Sequence, residues 1–114
     1  RWGVAYQFTE SWSDVTLWRS KTIPNPKNHY LADPFLIKRS DKHYCFVEDF
    51  DYSKNQGCIS VYEITKDGSK ELGVAILEDF HISYPYLFEF NNDLYMCPDR
   101  HIRPAIFCVR LDTP

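Results

Sequence analysis

Two stretches of this chain repeat each other at a spacing of 51 residues. Ala32 to Ile37 reads ADPFLI, and Ser83 to Phe88 reads SYPYLF. Each places one residue before a proline and continues as an apolar run. The register runs without a gap from Asp33 to Glu48 in the first copy. Asp33 aligns with Tyr84, Pro34 with Pro85, Phe35 with Tyr86, Leu36 with Leu87, Ile37 with Phe88, Tyr44 with Tyr95 and Glu48 with Asp99. Self-similarity at such a period marks a repeated supersecondary unit that stacks on its own copies.

The residues between the repeats read as β structure. Trp2 to Phe8 and Val15 to Trp18 are predicted strands, and Ile23 to Asn28 (IPNPKN) is a loop because two prolines remove backbone donors. The first unit supplies a strand over Asp33–Ile37, a polar turn KRSDK, and a return strand over His43–Asp49. Strands over Cys58–Ile64 and Leu72–Leu77 follow, joined by a turn containing Asp67-Gly68. The second unit gives strands over Tyr84–Phe90, Leu94–Pro98 and Ala105–Leu111. Asp33–Ile37 has apolar residues on both faces, as in a strand covered on both sides.

Four strands per unit at this spacing predict an all-β chain, a partial β-propeller of about two to two and a half four-stranded antiparallel blades. The predicted divisions are leading strands 1–28, a blade over 29–79 and a partial blade over 80–114. A generic sandwich with two similar hairpins is the competing arrangement. Since propellers typically carry four to eight blades, a ring would need further blades or self-association of the chain as a homodimer or higher oligomer.

Composition narrows the functional classes. A net charge of −3 with only 13 Lys and Arg in 114 residues argues against nucleic acid as a partner. No apolar run approaches the roughly 18 residues of a membrane span. The histidines His29, His43, His81 and His101 lack metal-ligand spacing, and no metal or other cofactor is expected. Cys45, Cys58, Cys97 and Cys108 form no CxxC pair and read as free, buried thiols. That cysteine pattern and the lack of a visible signal peptide lean toward the cytoplasm, although a chain beginning at Arg1 could have been processed.

Pairing each hairpin about its turn sets Ile37 opposite Tyr44, Asp33 opposite Glu48, Phe88 opposite Tyr95 and Tyr84 opposite Asp99. The start of one strand and the end of the next then share an edge. In a propeller the first strand of each blade lines the central channel, so one mouth would be ringed by Asp33, Glu48, Asp49, Tyr84, Asp99 and Arg100. His29 and His81, just ahead of each proline motif, would enter from the same side. Carboxylates with aromatic residues on a concave rim suit a saccharide: the carboxylates bind hydroxyls and the rings pack on sugar faces. Asp33, Glu48 and Asp99 are the candidate catalytic groups. His29, Asp49, His81, Tyr84 and Arg100 are the candidate binding groups. Each also has a structural explanation. Asp33 before Pro34 can end a strand, Glu48 and Asp49 can open a solvated loop, and Asp99 with Arg100 can form an ion pair.

ADPFLI, HYCFVED, GCISVYEI, GVAILE, HISYPYLFEF and LYMCPDR together resemble one family. It is the propeller domain at the N-terminus of plant glucosamine inositolphosphorylceramide transferases and related bacterial proteins. That domain is distantly similar to five-bladed propeller glycosidases of the arabinofuranosidase and β-xylosidase type. The resemblance spans about Trp2 to Val109. It implies a carbohydrate-active module, glycosidase-like or glycosyltransferase-associated, with Asp33 matching the general base of the Asp-Pro motif. Tyr84 stands where the glycosidases commonly place a carboxylate that tunes the acid, and Pro98-Asp99-Arg100 stands where the transferase family reads Pro-Glu-Ser. The alternative is a non-catalytic module that self-associates through open blade faces.

Overall fold

The computed structural model describes residues 2–99 and 108–111. Among the described residues, nine strands form three antiparallel sheets. The leading sheet pairs β1 (Val4–Tyr6) with β2 (Lys21–Ile23). The central sheet is a four-stranded meander of β3 (His29–Arg39), β4 (Lys42–Asp51), β5 (Gln56–Thr65) and β6 (Gly68–Ile76). The trailing sheet is a three-stranded meander of β7 (Ser83–Phe90), β8 (Asp93–Asp99) and β9 (Val109–Leu111). Val15 to Trp18 is not a strand. A 3-10 turn covers Leu17–Arg19, with Leu17 and Trp18 largely exposed, so no sheet partner holds this stretch extended. Of the predicted last strand, residues 105–107 lie outside the described residues.

The sheets stack with two separate cores. Val4, Tyr6 and Ile23 of the leading sheet pack on Leu31, Cys45, Val47, Tyr62 and Ile64 of the central sheet. The opposite face of the central sheet packs Phe46, Ile59 and Ile76 against Ile82, Leu94 and Met96. The period of two in β4 does this: Cys45 and Val47 point one way, and Tyr44 and Phe46 the other. The central strand β4 is thus covered on both faces, whereas Asp33–Ile37, for which this was expected, is not: Asp33, Pro34 and Leu36 are exposed, because β3 is an edge strand of the central sheet.

The inner hairpins differ from simple pairing by one residue. Ile37 pairs Tyr44 and Phe88 pairs Tyr95, as expected. Further along, Ala32 pairs Glu48, and Ser83 pairs Asp99. The shift lies between Ala32 and Phe35 in one unit and between Ser83 and Tyr86 in the other. A β-bulge at the proline motif inserts one residue, and sequence spacing about the turn cannot reveal it.

Cys97 and Cys108 form a disulfide between β8 and the residue before β9. The reading of four free thiols is therefore corrected for this pair, while Cys45 and Cys58 are free. Eleven residues separate Cys97 from Cys108, and only the return of the chain beside β8 brings them together. Among the described residues, no helix is long and apolar enough to cross a membrane.

Candidate functional site

The bulge that shifts the register also presents the first candidate residue. Asp33 has a φ of 50°, in the left-handed region, and is exposed. The residue before a proline is pushed away from helical conformations, so this backbone is unfavourable on two counts. The bulge sets Asp33 close enough to Glu48 on β4 for its charge to act on the Glu48 carboxyl. Glu48 itself is buried, 6% exposed.

Burial, the largest cause, and the adjacent negative charge of Asp33 together raise the Glu48 carboxyl from its ordinary 4.5 to about 7. The Tyr30 hydroxyl donates to Glu48 Oε2 at 3.4 Å and opposes the shift. His81 Nε2 lies 3.9 Å from the same oxygen. The imidazole is oriented from its other side, because the Gly57 amide donates to His81 Nδ1 at 2.8 Å. With Nδ1 an acceptor, a neutral His81 carries its proton on Nε2, toward Glu48. Gly57 is required by close approach: a Cβ there would lie 2.8 Å from the Ile82 carbonyl oxygen and 2.9 Å from the His81 ring.

Aromatic rings frame this group. Tyr30 stacks on Phe50 at 4.9 Å, and Phe50 meets the edge of His81 at 5.8 Å. On the other side of the bulge, Phe35 meets Tyr84 edge-on at 4.9 Å. Tyr84 is half exposed and holds the second bulge, with a φ of 51°. The inner strands of the two units thus meet through rings beside the carboxyl pair.

The structure divides the predicted site residues. Asp33, Glu48 and His81 come together, with Tyr84 beside them. His29 and Asp49 belong to a second network on the opposite face of the central sheet. His29 Nδ1 lies 2.6 Å from Asp49 Oδ1, and the Ser60 hydroxyl donates to Asp49 Oδ2 at 2.8 Å. Adjacent strand residues point to opposite faces, so Glu48 and Asp49 cannot line one wall. Asp99 is exposed at the end of β8 and repeats in its unit the register position of Glu48. Arg100 lies outside the described residues.

Sequence reasoning missed Tyr30, Phe35, Phe50 and Gly57. Tyr30 and Phe50 are directly paired across β3 and β4, which the bulge hid. The signal for Gly57 was its place at the head of an otherwise apolar strand, where a lone glycine often marks close backbone approach.

A buried carboxyl raised by a neighbouring carboxylate is the arrangement that keeps one member of a pair protonated near neutrality. Such a pair offers both a donor and acceptors to a hydroxyl-rich ligand. The clefts of about 430 and 400 Å³ lie elsewhere. One is walled by Ile37, Phe46, Val61 and Leu94, the other by Val4, Phe8, Pro34 and Leu36.

Sheet stacking and the Asp33–Glu48 neighbourhood define an all-β domain of three antiparallel sheets. The family described as "Glucosamine inositolphosphorylceramide transferase 1, N-terminal" matches residues 14–110, and the chain belongs to it. Glucosamine inositolphosphorylceramide transferase 1 of Oryza sativa, subspecies indica and japonica, is 36% identical over 74 residues. The Arabidopsis thaliana protein of that name is 35% identical over 74 residues. The match covers 63% of this chain and 10% of each relative. No solved structure matches the chain.

Proposed function

We propose that the chain is a carbohydrate-recognising, glycosyltransferase-associated module and that its three sheets are successive blades of a partial propeller. The observation that carries the reading is the buried Glu48 carboxyl, raised by the charge of Asp33, at a bulge between two aromatic groups. Family membership points to the same class, since the relatives are named glucosamine inositolphosphorylceramide transferase 1.

In this reading Asp33 accepts hydrogen bonds from sugar hydroxyls and protonated Glu48 donates one. Tyr30 and His81 hold Glu48 in place. Tyr84 and Phe35 offer ring surface to a pyranose face. Asp99 and the region around it extend the rim in the second unit. Asp33 remains the candidate general base, with catalysis requiring Glu48 to move away from it or Asp99 to act as the second carboxyl.

A glycan array, followed by calorimetric titration of the best saccharide, tests this reading. Binding by the native chain that is lost in Asp33→Asn and weakened at least tenfold in Tyr84→Ala is expected. Binding that survives Asp33→Asn unchanged, or no binding to any saccharide by a chain with a native circular dichroism spectrum, overturns it.

A further inference from the structure

The bulge at Asp33 also decides where the rings of β3 point. Tyr30 and Phe35 are five residues apart, and in an unbroken strand an odd spacing sends side chains to opposite faces. Cross-strand partners share a face, and here Tyr30 pairs Phe50 while Phe35 pairs Phe46. Phe46, Glu48 and Phe50 alternate along β4 on one side. The extra residue between Ala32 and Phe35 therefore keeps both rings on the Glu48 side of the sheet. Between the rings, directly opposite Glu48, stands Ala32. Its methyl group leaves a low step between two aromatic groups, with Asp33 and Glu48 beside it.

Each of these rings supports an exposed tyrosine. Tyr52 is 47% exposed and rests against Tyr30 at 5.6 Å and Phe50 at 5.8 Å. Tyr84 is 51% exposed and rests against Phe35 at 4.9 Å. The supporting rings are inclined to the tyrosines by 58°, 77° and 87°. Each tyrosine is thus held in place while about half of its surface stays open. The central sheet is covered on both faces, so the exposure of Tyr52 belongs to the end of the sheet, in the connection from β4 to β5.

We infer that this edge takes a glycan of at least two linked sugar units, one sugar on Tyr84 and the next on Tyr52, with the linkage over Ala32 and its neighbouring hydroxyls on Asp33 and Glu48. The inference rests on the saccharide reading and adds to it the length of the ligand and a second platform. Sugar rings present C–H faces that pack on aromatic faces, and a few polar groups between the platforms fix orientation. A single sugar reaches one platform, and only an oligomer reaches both. Tyr52 is then the residue that discriminates by length.

Calorimetric titration tests this with glucose, xylose and mannose, each compared with its β-1,4-linked oligomers of two to four units. The native chain, Tyr52→Ala and Tyr52→Trp are compared. The disaccharide of a bound sugar should bind about tenfold more tightly than the monosaccharide. Tyr52→Ala should bring the disaccharide down to the affinity of the monosaccharide and leave the monosaccharide unchanged. Tyr52→Trp keeps a ring face and should retain the preference for two units. Circular dichroism checks that both variants keep the native fold, as expected at so exposed a position. Equal affinity for one and two units, or Tyr52→Ala weakening both alike, overturns this inference and leaves the saccharide reading standing. No binding in any of the three series also overturns the inference, whereas the saccharide reading falls only if the glycan array is blank.

Discussion

Asp33 and Tyr84, 51 residues apart, share one backbone conformation: φ of 50° and 51°, each immediately before a proline and each inside a β-bulge. Side chains in the left-handed region cost on the order of 1–3 kcal/mol, and a tyrosine has no local hydrogen bond to offset that. The unit therefore keeps the bulge whether the side chain is acidic or aromatic. What varies between copies is the group delivered to the rim.

Glu48 should make stability depend on pH near neutrality. Folded Glu48 holds its proton to about 7, whereas an ordinary glutamate releases it near 4.5. The protonated form thus favours folding, fully below the ordinary value, and this contribution disappears as pH rises through about 7. One pKa unit is about 1.4 kcal/mol, so a shift from 4.5 to about 7 sets a ceiling of about 3 kcal/mol. Asp51, lowered by its hydrogen bond to Ser53, has the opposite sign but acts only below the ordinary aspartate range. Urea unfolding across pH from about 4 to about 8 should show stability falling toward the alkaline end, and Glu48→Gln should flatten the slope. An unchanged slope in Glu48→Gln would refute the assignment.

Asp33→Asn keeps a residue that tolerates the left-handed bulge and removes the charge beside Glu48. The Glu48 carboxyl, followed by carbon-13 NMR, should titrate below about 7 in this variant but still above 4.5, because burial is the larger cause and remains. A full return to the ordinary value would mean that Asp33, not burial, dominates.

Gly57→Ala should destabilise the chain by about 1–3 kcal/mol, the usual cost of overpacking. The new methyl would meet the Ile82 carbonyl oxygen at 2.8 Å, and neither backbone can yield easily. The His81 nitrogen resonances should shift in the same variant as the Gly57 amide bond to Nδ1 is disturbed. A neutral effect on urea midpoint would show that the strand moves aside.

Ile82 and Met96 are fully buried between the central and trailing sheets. Truncating either to alanine should cost about 2–5 kcal/mol. Leu17→Ala, at a site 84% exposed, should stay within about 0.5 kcal/mol. Denaturant midpoints distinguish the two sets.

Cys45 is 1% exposed, and burial pushes its thiol up to about 12. It should react with Ellman's reagent at neutral pH only as the chain unfolds, since the thiolate is the reactive form. Rapid native-state labelling of Cys45, mapped by mass spectrometry, would contradict this packing.

The repeat spacing, read alone, determined the unit, the all-β class, the hairpin order within the two units and the pairing near each turn. Those follow from local residues: turn formers set the hairpins, and apolar runs set which strands are covered. Ile37 opposite Tyr44 needed nothing more. The tertiary structure decided the rest. Whether β3 carries an extra residue at Asp33 depends on how its two ends pair with β4, so the slip that puts Ala32 opposite Glu48 has no local signature. The separation of Glu48 from Asp49 follows from which sheet covers each face. Cys97 and Cys108 meet because β9 returns beside β8. Gly57 holds His81 because the connection leading into β7 is laid across it. Each of these depends on contact between residues distant in sequence, and only the packed sheets bring them within reach.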